Sequence, residues 1–165
     1  MSRVTFYILL FMVSLSTPAI SAAQTAPTVP QEQIALWDAV IAGDVGKAMV
    51  SIKAGADVNG LDTRENVAGK NGRRPLNYAA LRNDTVMITA LLDAGATTNL
   101  ANRSGFTPLH HAAEAGSKEA AALLIAKGAN LTLRNLRNQT PIETATAFRH
   151  REVAEVLRQA TKTSK

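Results

Sequence analysis

Apolar residues recur along this chain in pairs separated by small and polar positions. Leu91-Leu92, Leu123-Leu124 and Val156-Leu157 each sit in a short run, and Ala79-Ala80 and Ala112-Ala113 lie in the runs before the first two of these pairs. Runs this short, broken by Gly, Pro, Asn and Asp, predict helices two to three turns long joined by tight turns. The helices are expected at Glu32–Ala42 and Val45–Ala54, then at Leu76–Asn83 and Thr85–Ala94, at Leu109–Ala115 and Lys118–Lys127, and at Ile142–Phe148 and Arg151–Ala160. The alanines let the first helices of neighbouring pairs approach closely, and the leucine and valine pairs bury the second helices. No pair can cover its apolar face alone, so the pairs must stack into a solenoid with one continuous core.

The punctuation repeats as strictly as the apolar pattern. Pro75, Pro108 and Pro141 lie 33 residues apart, each followed by Leu or Ile and then by Ala-Ala or Ala-Thr. Proline is tolerated at the first position of a helix, where its missing N–H has no partner in any case, and Thr107 before Pro108 can cap the free amides. Gly43 to Gly55 and Gly116 to Gly128 are each 12 residues, and Asn83 stands 12 before Gly95. Gly116 and Gly128 suit left-handed turns where helices stop. Gly55 to Gly95 is 40 residues where Gly95 to Gly128 is 33, which places seven extra residues between Asn59 and Gly72.

The stretch Gly105-Phe106-Thr107-Pro108-Leu109-His110-His111-Ala112-Ala113, with Gly128-Ala129-Asn130 after it and a period of 33, resembles the ankyrin repeat. The resemblance runs from about Gln31 to Ala160 and implies an all-α ankyrin-repeat solenoid of about four helix-turn-helix units with short finger loops. The units are expected at about 31–60, 69–101, 102–134 and 135–160, with a long loop over 60–74 and a frayed tail over 161–165. Three units depart from the strong copy. The first lacks the Thr-Pro-Leu-His turn and carries Trp37 at the His110 position, where a packing role is expected. In the second, Arg74 replaces Thr107 and Asn77 replaces His110; in the fourth, Glu143 stands at the His110 position. The end of the fourth unit is polar, with Arg149, Arg151, Glu152, Glu155, Arg158 and Gln159, as a terminal cap must be to stay soluble. Arg151 and Glu155 have the spacing of an ion pair along it.

The chain begins differently. Arg3, the apolar run Val4 to Leu15 and Ser21-Ala22-Ala23 match a secretory signal peptide over residues 1–23, followed by a polar, proline-containing leader over 24–30 expected to be disordered. The run is shorter than the ~20 residues a membrane-spanning helix needs, so an uncleaved anchor is the weaker alternative. Cleavage near Gln24 would send the protein to the periplasm or outside the cell with no stable membrane anchor. There are no cysteines, which excludes disulfides, acylated cysteine, thiolate metal sites and cysteine nucleophiles together.

Candidate chemistry is sparse. His110 is, by the resemblance, a hydrogen-bonding residue between turns. Adjacent helical side chains point about 100° apart, so His110 and His111 do not grip one metal easily, and His150 is distant along the solenoid. Ser51, Ser104 and Ser117 sit in turns or on helix faces with no convergent His and carboxylate implied, and no phosphate-binding glycine motif is present. Neither enzyme activity, cofactor nor metal is expected. Asn83, Asn102, Asn130 and Asn138 have glycan-acceptor spacing but fall in turns where Asn is wanted for capping.

Charge says more. Arg3 is the only charge in residues 1–23, leaving 17 basic and 13 acidic residues in the rest. Arg64, Lys70, Arg73, Arg74, Arg103, Arg134 and Arg137 fall in the inter-repeat fingers, with Arg82 at the end of an inner helix. The resemblance implies that fingertips and first helices form a concave recognition face. Its variable contact positions map to Lys70, Asn71, Arg73, Leu81 and Arg82, then to Arg103, Ser104, Phe106, Glu114 and Ala115, then to Leu136, Arg137, Gln139, Ala147 and Phe148. From these and the long loop, the expected partner-binding set is Arg64, Lys70, Arg73, Arg82, Arg103, Phe106, Glu114, Arg137, Gln139 and Phe148. Phe106 and Phe148 among arginines have hot-spot composition, although Phe106 can instead shield the stack. The long loop can likewise be a binding insertion or a neutral one, since seven more residues cost only about 0.4 kcal/mol of closure entropy. The expected function is binding of a protein partner by a monomer, with no nucleic acid involved. Small exported bacterial members of the family imply either restraint of a periplasmic enzyme, as immunity-like factors do, or support of a periplasmic catalase or haem enzyme; a structural spacer is the third possibility.

Overall fold

A computed structural model describes residues 29–163. The signal peptide expected over 1–23 and most of the leader lie outside the described residues. Among the described residues nine helices form, in order α1 (Gln31–Ala42), α2 (Val45–Lys53), α3 (Glu65–Ala68), α4 (Pro75–Leu81), α5 (Thr85–Asp93), α6 (Pro108–Ala115), α7 (Lys118–Ala126), α8 (Pro141–Ala147) and α9 (Arg151–Thr163). There are no strands among the described residues, only an isolated antiparallel bridge between Asp62 and Arg73. The fold is thus an all-α repeat solenoid. The inner helices α1, α4, α6 and α8 stack in one row, and the outer helices α2, α5, α7 and α9 stack in a second row behind them.

The helices start and stop for local reasons. Proline opens α4, α6 and α8. The Thr107 and Thr140 hydroxyls accept the N–H of His110 and Glu143, and the Thr107 and Thr140 N–H groups donate to the side chains of His110 and Glu143, satisfying two free amides of each helix. Asp44 and Asp84 cap α2 and α5 by accepting from Lys47 and Met87. Arg74 has no such oxygen, and Asn77 compensates by accepting the Arg74 N–H at 2.8 Å. The helix α9 runs on to Thr163, past the expected end at Ala160; in this extension the Thr161 hydroxyl donates to the Leu157 carbonyl and the Thr163 hydroxyl to those of Gln159 and Ala160. Glu155 pairs with Arg158 at 3.5 Å and not with Arg151.

The core runs the length of the stack. Leu36, Val40, Met87, Ile88, Leu91, Leu109, Leu124, Val153 and Leu157 are buried, and alanines 79, 80, 112, 113, 120, 121 and 145 are fully so. Trp37 belongs to this packing, 2% exposed, with its indole N–H donating to the Gly60 carbonyl at 3.0 Å. Asparagines complete the turns: Asn83 accepts the Ala120 N–H, and Asn102 accepts the N–H groups of Ser104 and Phe106 while donating to the Gly72 carbonyl.

Candidate functional site

The long loop is built around one buried acid. Asp62 is fully buried, and its carboxylate accepts from the Arg64 N–H, from Arg64 Nε and Nη2, and from the Tyr78 hydroxyl. Burial alone raises its pKa, but the bonds from Arg64 and Tyr78 outweigh this and hold the carboxyl below its ordinary value. Arg64 is thereby turned away from the fingertip. It also binds Asp38 of α1 at 2.8 Å and stacks over Trp37 at 5.2 Å. The Asp62–Arg73 bridge closes the loop, α3 forms across it, and Ala68 is buried beneath. Asp62 and Arg64 are thus spent on internal pairing, whereas Glu65 and Lys70 stay exposed. Arg74 is likewise a staple, donating to the carbonyls of Ala101 and Asn59 in the fingers on either side.

Beyond the loop the fingers are joined edge to edge. The Arg103 N–H donates to the Asn71 carbonyl, and the Leu136 N–H donates to the Ser104 carbonyl. The loop, the third finger and the fourth finger therefore form a continuous rim above α6. Between that rim and α6 lies a half-open cavity of about 610 Å³, lined by Glu65 and Val67 of α3, by Arg73, by Phe106, by His111 and Glu114 of α6, and by Leu136 and Arg137. Of the ten residues expected to bind a partner, it gathers Arg73, Phe106, Glu114 and Arg137.

The others divide. Lys70, Arg82 and Arg103 are exposed, as is Phe148 at the end of α8, 43% open to solvent. Arg64 is withdrawn as described. Phe106 is 7% exposed and packs on the rings of His110 and His111, with centroids 5.6 and 5.5 Å away, so it shields the stack while lining the cavity. Gln139 contributes its main chain: its carbonyl accepts from His110 Nε2 at 2.9 Å. Arg73 is half-buried, with Nη1 on the Ala68 carbonyl.

The histidines take different roles. His110 is fully buried; its Nδ1 accepts from the Thr107 N–H and hydroxyl, so Nε2 carries the proton given to Gln139. His150 Nε2 bonds to the Glu114 carbonyl at 3.0 Å, tying the last unit to α6. His111 is 3% exposed and faces the cavity. Burial lowers its pKa against the opposing pull of Glu114, while Glu114 is held below its ordinary value chiefly by the bond from His111. The pair is therefore a neutral imidazole donating Nδ1–H to an ionised carboxylate at 3.2 Å. That tautomer leaves a bare lone pair on Nε2, and Nε2 has no hydrogen-bond partner among the described residues. The Ser104 hydroxyl lines the same cavity without reaching it, so no serine triad is assembled there. Nor do the described residues hold a cluster of His, Cys, Asp or Glu suited to a metal ion.

A family profile described as ankyrin repeats, in three copies, matches residues 36–135 and 97–165. The chain belongs to the ankyrin repeat family. No curated protein matches it. Ankyrin repeats are protein-binding modules, generally without catalysis, and no helix among the described residues is long and apolar enough to cross a membrane.

Sequence reasoning missed His111 and α3 as cavity walls. A signal for the first existed: the 33-residue register puts Tyr78, His111 and Thr144 at one position, and all three are buried polar side chains beneath a finger.

Proposed function

We propose that this protein is a non-catalytic binding module that captures an acidic protein surface on its finger face and, in doing so, regulates an exported enzyme. The observation that carries the reading is the exposure of Arg103 and Arg137 on the fingers, with Leu136 at 79% exposure next to Arg137, and of Arg82 at the end of α4; none of the three forms an ion pair within 4 Å of a carboxylate among the described residues. Basic groups left free around an apolar residue steer and orient an acidic partner. Restraint of the enzyme is the first form of this reading. Support of a periplasmic catalase or haem enzyme is the alternative, and a spacer role is the reading without a partner. The N-terminal pattern of residues 1–23 supports export and a mature chain beginning near Gln24, which N-terminal sequencing of the protein from its own source tests directly.

The test of function is affinity capture from a periplasmic or secreted extract with the full chain tagged at its C-terminus, beside a triple variant R82E/R103E/R137E. One stoichiometric partner is expected, lost in the variant, while the melting midpoint stays nearly unchanged because exposed charges move stability by less than about 0.5 kcal/mol. Lowered activity of the captured enzyme supports restraint, and raised activity supports an accessory role. Undiminished capture by the triple variant means that the basic finger face is not the binding face.

A further inference from the structure

The chain holds two Asn-Gly pairs, Asn59-Gly60 and Asn71-Gly72, and none of its other asparagines precedes a glycine. An asparagine before glycine is prone to a reaction of its own, because the following residue has no Cβ to keep its backbone nitrogen away from the side-chain amide carbon. The reacting atoms belong to adjacent residues, so nothing but water has to reach them. Each glycine N–H closes the same kind of turn, Gly60 on the Asp57 carbonyl at 2.9 Å and Gly72 on the Gly69 carbonyl at 3.1 Å. Opening that one bond is a cost both pairs share, and the asparagine side chains decide between them. Asn59 Oδ1 accepts the Thr97 N–H at 2.8 Å and Asn59 Nδ2 donates to the Gly95 carbonyl at 3.3 Å, which fixes this amide to the next unit. Asn71 stands exposed with Gly69 and Lys70 at the tip of the long loop, and its side-chain amide makes no hydrogen bond among the described residues.

We propose that Asn71 is a self-modification site, at which the folded protein loses ammonia and becomes isoaspartate or aspartate while Asn59 persists. The Gly72 nitrogen gives its proton to water and bonds to Asn71 Cγ; the Cγ–Nδ2 bond breaks, and Nδ2 takes up a proton from water and leaves as ammonia. Water then opens the cyclic imide. Attack at the side-chain carbonyl gives aspartate, and attack at the main-chain carbonyl gives isoaspartate, whose backbone runs through Cβ and Cγ and is longer by a carbon. The Asn71 carbonyl accepts the Arg103 N–H at 3.1 Å, and the Gly72 carbonyl accepts from Asn102 Nδ2 at 3.1 Å, so bonds joining the long loop to the third finger end on both residues. Isoaspartate inserts its extra carbon between these acceptors and turns the first into a free carboxylate. Gly72 has little room to absorb the change, since a Cβ there would already stand 2.8 Å from the Asp62 carbonyl oxygen. The third finger is therefore released from the loop, and a neutral group on the rim that carries Arg103 and Arg137 becomes an anion. None of this requires a partner.

The test incubates the purified full chain at mildly alkaline pH, reading amide-to-carboxyl exchange by peptide mass spectrometry and the isoaspartyl form with isoaspartate methyltransferase. Asn71 is expected to react in the folded protein, with Asn59 at least about tenfold slower because its two hydrogen bonds must open first. In urea the two sites should react at similar rates. The isoaspartyl fraction should lose hydrogen-exchange protection at the Arg103 N–H, whereas Asn71→Gln, whose longer side chain does not close the same ring readily, should keep it through the same incubation. An unmodified Asn71 in the folded protein, over a period in which the urea-unfolded chain reacts, would overturn the proposal. So would a folded Asn59 that reacts as fast as Asn71, a difference between the two sites that persists in urea, or an isoaspartyl fraction in which the Arg103 N–H is as protected as before.

Discussion

Single residues in this protein carry tasks that their types do not announce. Asp62 is an acid in a loop full of charges, yet it is the fully buried anchor for Arg64 and Tyr78. Asp62→Ala leaves a part-buried guanidinium and a buried hydroxyl without their acceptor and is expected to destabilise by about 2–4 kcal/mol in urea unfolding. Its folded pKa is depressed, so its contribution is complete above the unfolded value of about 4 and is lost as pH falls through the lower folded value. Wild type should therefore lose more stability on acidification than Asp62→Asn does. The histidines act in a higher window. His110 and His111 are both held neutral by burial, with folded pKa values below the unfolded value of about 6.5. The unfolded chain takes up protons first as pH drops, so the urea midpoint is expected to fall progressively below about pH 6.5. A variant with His111→Leu should show a shallower slope; an unchanged slope would mean that His111 is charged in the folded protein.

At the scale of elements, the fingers interlock with the units on either side. Gly105 has φ +76°, and a Cβ there would stand 2.9 Å from the Cα of Asn135 in the next finger, whereas Gly128 has φ +82° and open space around it. Both alanine substitutions meet left-handed strain of about 1–2 kcal/mol. Gly105→Ala must in addition push one finger backbone off its neighbour, and is expected to lower the melting midpoint clearly more than Gly128→Ala. It should also perturb the cavity, since Ser104 and Leu136 flank the contact. The helices themselves were legible in advance, from Pro75, Pro108 and Pro141, the Thr107 cap and the stop at Gly116, because proline, threonine and glycine act within a few residues of themselves. The α3 loop was not. Its Asp and Arg look solvated until the chain brings Asp62 to Tyr78, Arg64 to Asp38 and Trp37 to Gly60, pairs separated by 16, 26 and 23 residues.

At the scale of the molecule, stability follows from stacking, because each unit contacts chiefly its neighbours. Removing α8 and α9 by truncation after Arg134 would strip His110 of the Gln139 carbonyl and uncover the α6 and α7 faces that α8 and α9 cover. The truncated chain is expected to melt earlier and to bind a hydrophobic dye, whereas removing only the last residues beyond Ala160 should change the melt little. The 33-residue period, the paired helices, their caps and the all-α solenoid follow from the sequence by itself, since periodicity and capping are short-range properties repeated along the chain. Tertiary structure alone decided which arginines remain free. It withdrew Arg64 and Arg74 into the scaffold, seated Phe106 against the histidines, and left His111 Nε2 and Arg73 Nε buried without partners. Those outcomes depend on which distant groups meet and exclude water, and a linear pattern of residue types carries no record of that.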